Sequence, residues 1–279
     1  MKPFSYAEAV EWAGQRLPRL EAEILLAHLL NQGRAHLYAW PERLLTALQH
    51  QQFTALAEQR VQGRPIAYIT GKREFWSLEL KVDPSVLIPR PETELLVELA
   101  LQQLPPDSCA LIADLGTGSG AVAAAIAVER PTTQIIAVDC SAKALAVAED
   151  NFQRLNINHI ETRQGDWCNA FQAKERFELI LSNPPYIAAT DPHLQRGDLP
   201  AEPLTALAAG PDGLNAVRTL CAHAPQWLTD GGRLMLEHGF EQGKATRDLM
   251  QRAGLDEIQT YEDLEGRERV TSGTKHVYF

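Results

Sequence analysis

The stretch Asp114-Leu115-Gly116-Thr117-Gly118-Ser119-Gly120 constrains the fold more than any other in this chain. It follows the apolar run Ala110–Leu115 and opens the helical run Ala121–Glu129, so three alternating glycines stand at a strand-to-helix turn. Glycines there permit unusual dihedrals and remove the Cβ atoms that would keep a ligand from the backbone. No Gly-Lys-Ser/Thr follows, so the turn is not a P-loop. The pattern belongs at the first strand of an α/β unit that binds a nucleoside-containing cofactor.

The rest of the chain from about residue 93 fits that frame. Strands are expected at Ala110–Leu115, Gln134–Asp139, His159–Arg163, Phe177–Ser182, Arg233–Glu237, Asp256–Thr260 and Arg269–Phe279. Helices are expected at Ala121–Glu129, Ala142–Leu155, Gly213–Leu228 and Gln242–Ala253. This alternation predicts an α/β, doubly wound, mostly parallel, seven-stranded Rossmann-like sheet. Residues 1–74 read instead as a small helical bundle. It has a capping box at Ser5–Glu8, a helix opened by Pro18 in which Leu20, Ile24, Leu25, Ala27, His28 and Leu29 recur near helical spacing, a stop near Gly33, and an amphipathic run through Leu48, Phe53, Leu56 and Val61. Trp12, Trp40 and Trp227 fall in helical patterns and are expected in the core. Residues 75–92, with strand-like alternation over Phe75–Val82 and then Pro84, Pro89 and Pro91, read as a hairpin-like linker to the domain of residues 93–279.

Charge bears on the partner. The net charge is −10, but residues 1–75 carry nine Lys/Arg against seven Asp/Glu, leaving −12 on residues 76–279. A non-specific nucleic-acid binder draws most of its affinity from basic side chains, so nucleic acid is not the expected partner. Four widely spaced cysteines without a C-x-x-C pair suit a reducing compartment and no metal site. The first residues lack the apolar core of a signal peptide, and no apolar run approaches the ~20 residues of a bilayer span. A cytoplasmic, membrane-free monomer is expected.

Asp139 closes the second expected strand, where doubly wound folds place an acid that receives ribose hydroxyls; the alternative is a helix N-cap, for which Ser141 competes. These features leave nicotinamide dinucleotides and S-adenosylmethionine undivided. Asn183-Pro184-Pro185-Tyr186 follows the apolar strand Phe177–Ser182, at the carboxyl end where open sheets bind ligands. Two prolines immobilise the backbone there and hold an amide and an aromatic ring in fixed relation, as a reaction on a pre-aimed planar nitrogen requires.

With the glycine loop, this tetrapeptide resembles the S-adenosylmethionine-dependent amino-methyltransferases. The likeness narrows over Arg64–Gly71, Glu74-Phe75-Trp76, Leu87-Ile88-Pro89-Arg90-Pro91-Glu92-Thr93-Glu94, Gly165-Asp166-Trp167 and Glu202–Leu207, all of which resemble the PrmC/HemK family. That resemblance implies methyl transfer from S-adenosyl-L-methionine, leaving S-adenosyl-L-homocysteine, to the glutamine N5 of the Gly-Gly-Gln motif in class-1 peptide-chain release factors. It implies that Gly116, Thr117, Gly118, Ser119 and Gly120 pack on the cofactor, that Asp139 holds its ribose, and that Asp166 and Trp167 border its adenine. Asn183 would meet both cofactor and glutamine, with Pro184 as a second amide-proton acceptor, Pro185 in the substrate wall and Tyr186 closing it. The alternative is a nucleic-acid amino-methyltransferase acting on adenine N6 or guanine N2. Glu237-His238, beyond the expected cofactor site, is read as structural, and Arg90 and Glu92 as shaping the entrance or pairing with each other.

Overall fold

A computed structural model describes residues 4–276 and divides into two units, Met1–Lys72 and Arg73–Phe279. The first unit is helical among its described residues: α1 (Tyr6–Gly14), α2 (Arg19–Leu30), α3 (Arg34–Ala39), α4 (Ala47–Val61) and α5 (Ile66–Thr70). The expected box at Ser5–Glu8 forms, and Thr46 and Gln49 make a second. The core gathers Ala9, Val10, Ala22, Leu25, Leu26 and Phe53. Several apolar expectations miss that stripe: Leu20, His28, Trp40, Leu48 and Val61 are exposed. On α2 the buried face is Ala22, Leu25 and Leu26, which turns Leu20 and His28 outward. The helix ends at Asn31 in the left-handed region, and Gly33 instead precedes α3.

The second unit begins with a hairpin. Strands β1 (Lys72–Phe75) and β2 (Leu78–Lys81) are joined by Trp76 and Ser77, both at positive φ, as a two-residue hairpin turn of matching twist requires. The alternation over Phe75–Val82 is therefore a turn and a short strand, not one continuous strand.

The remaining elements are α6 (Glu94–Gln103), β3 (Leu111–Leu115), α7 (Ala121–Glu129), β4 (Gln134–Asp139), α8 (Ala142–Arg154), β5 (Ile160–Gln164), β6 (Phe177–Ser182), α9 (Asn215–His223), β7 (Leu228–Glu237), α10 (Gly243–Arg252), β8 (Leu255–Glu262) and β9 (Glu268–Lys275). Seven of the described strands form one sheet in the order β5-β4-β3-β6-β7-β9-β8. Pairs from β5 through β7 are parallel, while β9 runs antiparallel to both β7 and β8. This is the expected doubly wound, mostly parallel sheet.

Side chains alternate between its two faces, as the period of a strand requires. Ile112, Leu179 and Leu181 pack with α6 and α7, while Ala113, Leu115 and Ile180 pack with Val217, Leu220 and Met250 of α9 and α10. Helix α6, which supplies Leu96, Val97 and Ala100 to the first face, was not foreseen. The expected helix Gly213–Leu228 is shorter: α9 ends at His223, a 3-10 turn covers Ala224–Trp227 where Pro225 lacks an N–H, and Leu228 already belongs to β7. The expected last strand stops at Lys275, and its final three residues lie outside the described ones.

Winding sets the place of chemistry. From β3 the chain proceeds to β4 and β5 on one side, then crosses back to β6 on the other. The carboxyl ends of β3 and β6 thus diverge at a topological switch point, the crevice where open α/β sheets take ligands.

Candidate active site

On the β3 side, the chain leaves Leu115 and turns through Gly116–Gly120 into α7. Gly118 has φ +56°, and a Cβ built there would meet no atom within 4 Å, only open space. Gly120 has φ +79°, and its Cβ would stand 2.6 Å from the Phe152 ring, so the close helix packing excludes a side chain. Both carboxylate oxygens of Asp139 engage the backbone: Oδ2 accepts the Gly118 N–H at 2.9 Å and Oδ1 the Ser141 N–H at 2.9 Å. Ser141 itself caps α8, its Oγ accepting the Ala144 N–H, so the cap role weighed for Asp139 falls to Ser141. Beneath the loop, buried Asp114 accepts the Thr117 hydroxyl at 2.7 Å; burial pushes its carboxyl up to about 6, with the charge of Asp139 adding to the effect.

A cavity of about 280 Å³ opens above these residues. Gly116, Gly118 and Asp139 form one wall, Asp166 and Trp167 another, and Asn183 and Pro185 face them. Trp167 is held in the left-handed region at φ 52°, a strained backbone for a bulky residue, with its ring beside Gly116.

On the β6 side, the Ser182 hydroxyl donates to the Leu115 carbonyl at 2.6 Å and ties the two strand ends together. Asn183 Nδ2 donates to Thr93 Oγ1 at 2.9 Å. The Tyr186 hydroxyl lies 3.4 Å from Glu237 Oε1, and the Tyr186 carbonyl accepts Gln242 Nε2 at 2.9 Å. Glu237 ends β7 and is buried; burial pushes its carboxyl up to about 7, against the Thr93 hydroxyl and Arg269, which pull it down. Its Oε2 has no hydrogen-bond partner among the described residues. Burial, then the Glu237 charge, raise the Tyr186 phenol as well. A second cavity of about 50 Å³ is lined by Leu87, Arg90, Asn183, Pro184 and Tyr186. Asn183 is therefore a wall shared by two spaces, one large and one small.

The structure brings most of the expected site residues together. Thr117, Ser119 and Gly120 shape the turn without lining the large cavity: the Thr117 hydroxyl goes to Asp114, the Ser119 carbonyl accepts Asn151 Nδ2, and Gly120 packs on Phe152. Pro184 and Tyr186 line only the small one. Arg90 pairs with buried Glu202 and not with Glu92; Glu202 also accepts the Ile88 N–H, which fixes the segment carrying Leu87. Of the pair read as structural, His238 is buried and bonded to Thr271 Oγ1 and the Gly239 carbonyl, whereas Glu237 reaches Tyr186. Sequence reasoning missed the Pro84–Leu87 wall, Cys140, Lys143, Pro203 and Thr93. The one available signal was that Leu87, Thr93 and Pro203 fall inside the motifs quoted above.

Residues 92–196 match the family described as "Methyltransferase small domain", so the seven-stranded sheet with a glycine-turned cavity at its switch point is that of an α/β methyltransferase. Residues 7–71 match the "PrmC N-terminal domain". The chain is 52% identical over 261 residues to the release factor glutamine methyltransferase of Xylella fastidiosa, covering 94% of each chain. It is 48% identical over 256 residues to that of Escherichia coli, covering 92% of each. This chain belongs to the family of release factor glutamine methyltransferases. In fold alone it is also similar to the T. thermophilus 16S rRNA N2 G1207 methyltransferase solved with AdoMet and guanosine, with a TM-score of 0.55 and 17% identity over 74% of this chain and 50% of that one. No helix among the described residues is long and apolar enough to cross a membrane.

Proposed function

We propose that this chain transfers the methyl group of S-adenosyl-L-methionine to the side-chain nitrogen, N5, of the glutamine in the Gly-Gly-Gln motif of class-1 peptide-chain release factors. The observation that carries the reading is the position of Asn183 between the two cavities, in a chain whose relatives carry that activity in their names.

The residues of the large cavity fit S-adenosylmethionine. The open space where Gly118 lacks a Cβ lets a ligand approach the backbone, and each Asp139 oxygen, already holding one backbone N–H, keeps a further lone pair for a ribose hydroxyl. Trp167 and Asp166 offer an apolar face and a polar edge to an adenine. Bound there, the cofactor supplies an electrophilic methyl group on a sulfonium.

The chain's part is placement of a weak nucleophile. A carboxamide nitrogen shares its lone pair with its carbonyl, so it must be oriented before it can react. Asn183 has its amino end on Thr93, which leaves Oδ1 to accept a proton of the incoming amide. Pro184 and Pro185 hold that acceptor on a backbone of restricted φ, and Tyr186 walls the smaller space. Catalysis in this reading is positioning and electrostatics.

The test is the intact mass of a purified, unmodified class-1 release factor after incubation with this protein and S-adenosylmethionine, followed by fragment mapping. One added methyl on the Gly-Gly-Gln glutamine supports the proposal. No gain, with cofactor binding demonstrated by calorimetry, overturns the substrate.

A further inference from the structure

Asn183 is useful only one way round. Its side chain has a donor end and an acceptor end of nearly the same shape, and a half-turn about the last bond exchanges them. A residue that receives amide protons must present oxygen. Something in the protein therefore has to select the rotamer, and Asn183, half-buried at a strand end, has no partner for this within its own tetrapeptide.

The selecting group is on another element. Thr93 ends the 3-10 turn Pro91–Thr93 that leads into α6, and it is buried at 4% exposure. Its Oγ1 accepts Asn183 Nδ2–H at 2.9 Å. With the amino end of Asn183 on that oxygen, Oδ1 lies at the other end of the amide and is not consumed by the contact. A hydrogen bond between the turn before α6 and the end of β6 thus sets which end of the amide faces away from Thr93.

We propose that Thr93 is a positioning residue for methyl transfer: it fixes the amide of Asn183 with Oδ1 toward the acceptor glutamine. This rests on the reading of Asn183 as the residue that receives that glutamine. Thr93 lines neither cavity and acts through Asn183.

The test is steady-state kinetics on a class-1 release factor with Thr93→Val, Thr93→Ser, Asn183→Ala and the double variant Thr93→Val/Asn183→Ala. Cofactor affinity is measured on each by calorimetry, and folding by circular dichroism. Valine keeps the shape and removes the acceptor. It is expected to lower kcat roughly tenfold, the scale of one hydrogen bond, with KM and cofactor affinity within about twofold. Serine restores the acceptor and should return kcat to within about threefold of the parent. In the Asn183→Ala background, Thr93→Val should add nothing, because its effect passes through the missing amide.

A Thr93→Val kcat within about twofold of the parent overturns the proposal while leaving the role of Asn183 standing. So does a Thr93→Ser enzyme as slow as Thr93→Val, which would mean the contact is packing. Should Thr93→Val fail to fold, Thr93→Ala, which also removes the acceptor, takes its place in the same cycle, with the same expected roughly tenfold loss and the same overturning result. Normal turnover by Asn183→Ala overturns the underlying reading, and the inference with it.

Discussion

The two walls of the candidate site are built by different means. On the β3 side the decisive contacts are local: Asp114 to Thr117 spans 3 residues, Asp139 to Ser141 spans 2, and Asp139 to Gly118 spans 21. On the β6 side they are remote: Asn183 to Thr93 spans 90 residues, Tyr186 to Glu237 spans 51 and Ile88 to Glu202 spans 114. A glycine turn between a strand and the helix that follows it needs little more than its own sequence to take shape. The Asn183–Tyr186 segment, although stiffened by two prolines, gets its side-chain orientations from elements that arrive only when the whole sheet is assembled. The cofactor wall is a local motif, and the acceptor wall is a product of topology.

The contrast predicts where function breaks first. Asn183→Ala removes a polar side chain that both cavities share, and turnover should fall by ~10²-fold or more, the scale of losing one preorganised polar group at a reaction centre. Cofactor affinity should fall much less, since the glycine turn and Asp139 remain. Single-turnover assays with calorimetry separate the two quantities. An equal loss in both would mean that the walls are not functionally distinct.

The next largest effect belongs to the acceptor wall and appears in stability. Glu237, ordinarily near 4.5, is pushed up to about 7 by burial; Thr93, Arg269 and Tyr186 oppose the shift and Glu92 adds to it. The folded protein holds this proton more tightly than the unfolded chain does. The group therefore supports the fold below about pH 4.5, and that support is lost as pH rises to about 7, with no further change above. A shift of this size is worth on the order of 3 kcal/mol. Glu237→Gln does not titrate, so its stability relative to the parent should rise by that order between pH 4 and pH 8. Urea denaturation across that range measures it, and parallel curves would show that Glu237 ionises in the fold as freely as in the unfolded chain.

The same division decided what the sequence could tell. The βα alternation, the glycine turn, Asp139 and the Asn183 tetrapeptide were all readable, because each is written in a contiguous run with a known period or dihedral demand. Helix α6 was not, although Leu96, Val97, Leu99 and Ala100 carry its apolar face, because it starts directly after the proline-rich Pro89–Pro91 segment with no side-chain cap to mark its start. Helical spacing places Trp40 and Leu48 in the core, yet Trp40 follows the end of α3 and Leu48 lies on the exposed face of α4, because spacing does not say where a helix ends or which of its faces is covered. Thr93 could not have been joined to Asn183, nor Glu237 to Tyr186, by any local rule, since only the assembled sheet, with β6 beside β7, brings them together.

The smallest effects test whether the cofactor wall is as local as it looks. Asp139→Ala should weaken S-adenosylmethionine binding by about 1.5–3 kcal/mol, the usual value of hydrogen bonds to a charged group, when measured by calorimetry. Part of that loss comes from the Gly118 and Ser141 N–H groups, which the carboxylate now holds in place. Ser141→Ala removes the cap of α8 and should cost about 1 kcal/mol in urea denaturation. The pair is informative because the two residues competed for one role. Had Asp139 been the cap, the results would exchange: Ser141→Ala would leave stability unchanged, and Asp139→Ala would lower it while cofactor affinity held. A cofactor wall in which acid and cap are separate residues, two positions apart, keeps one lone pair on each oxygen of the acid free for a ligand, and that separation is what these two variants read.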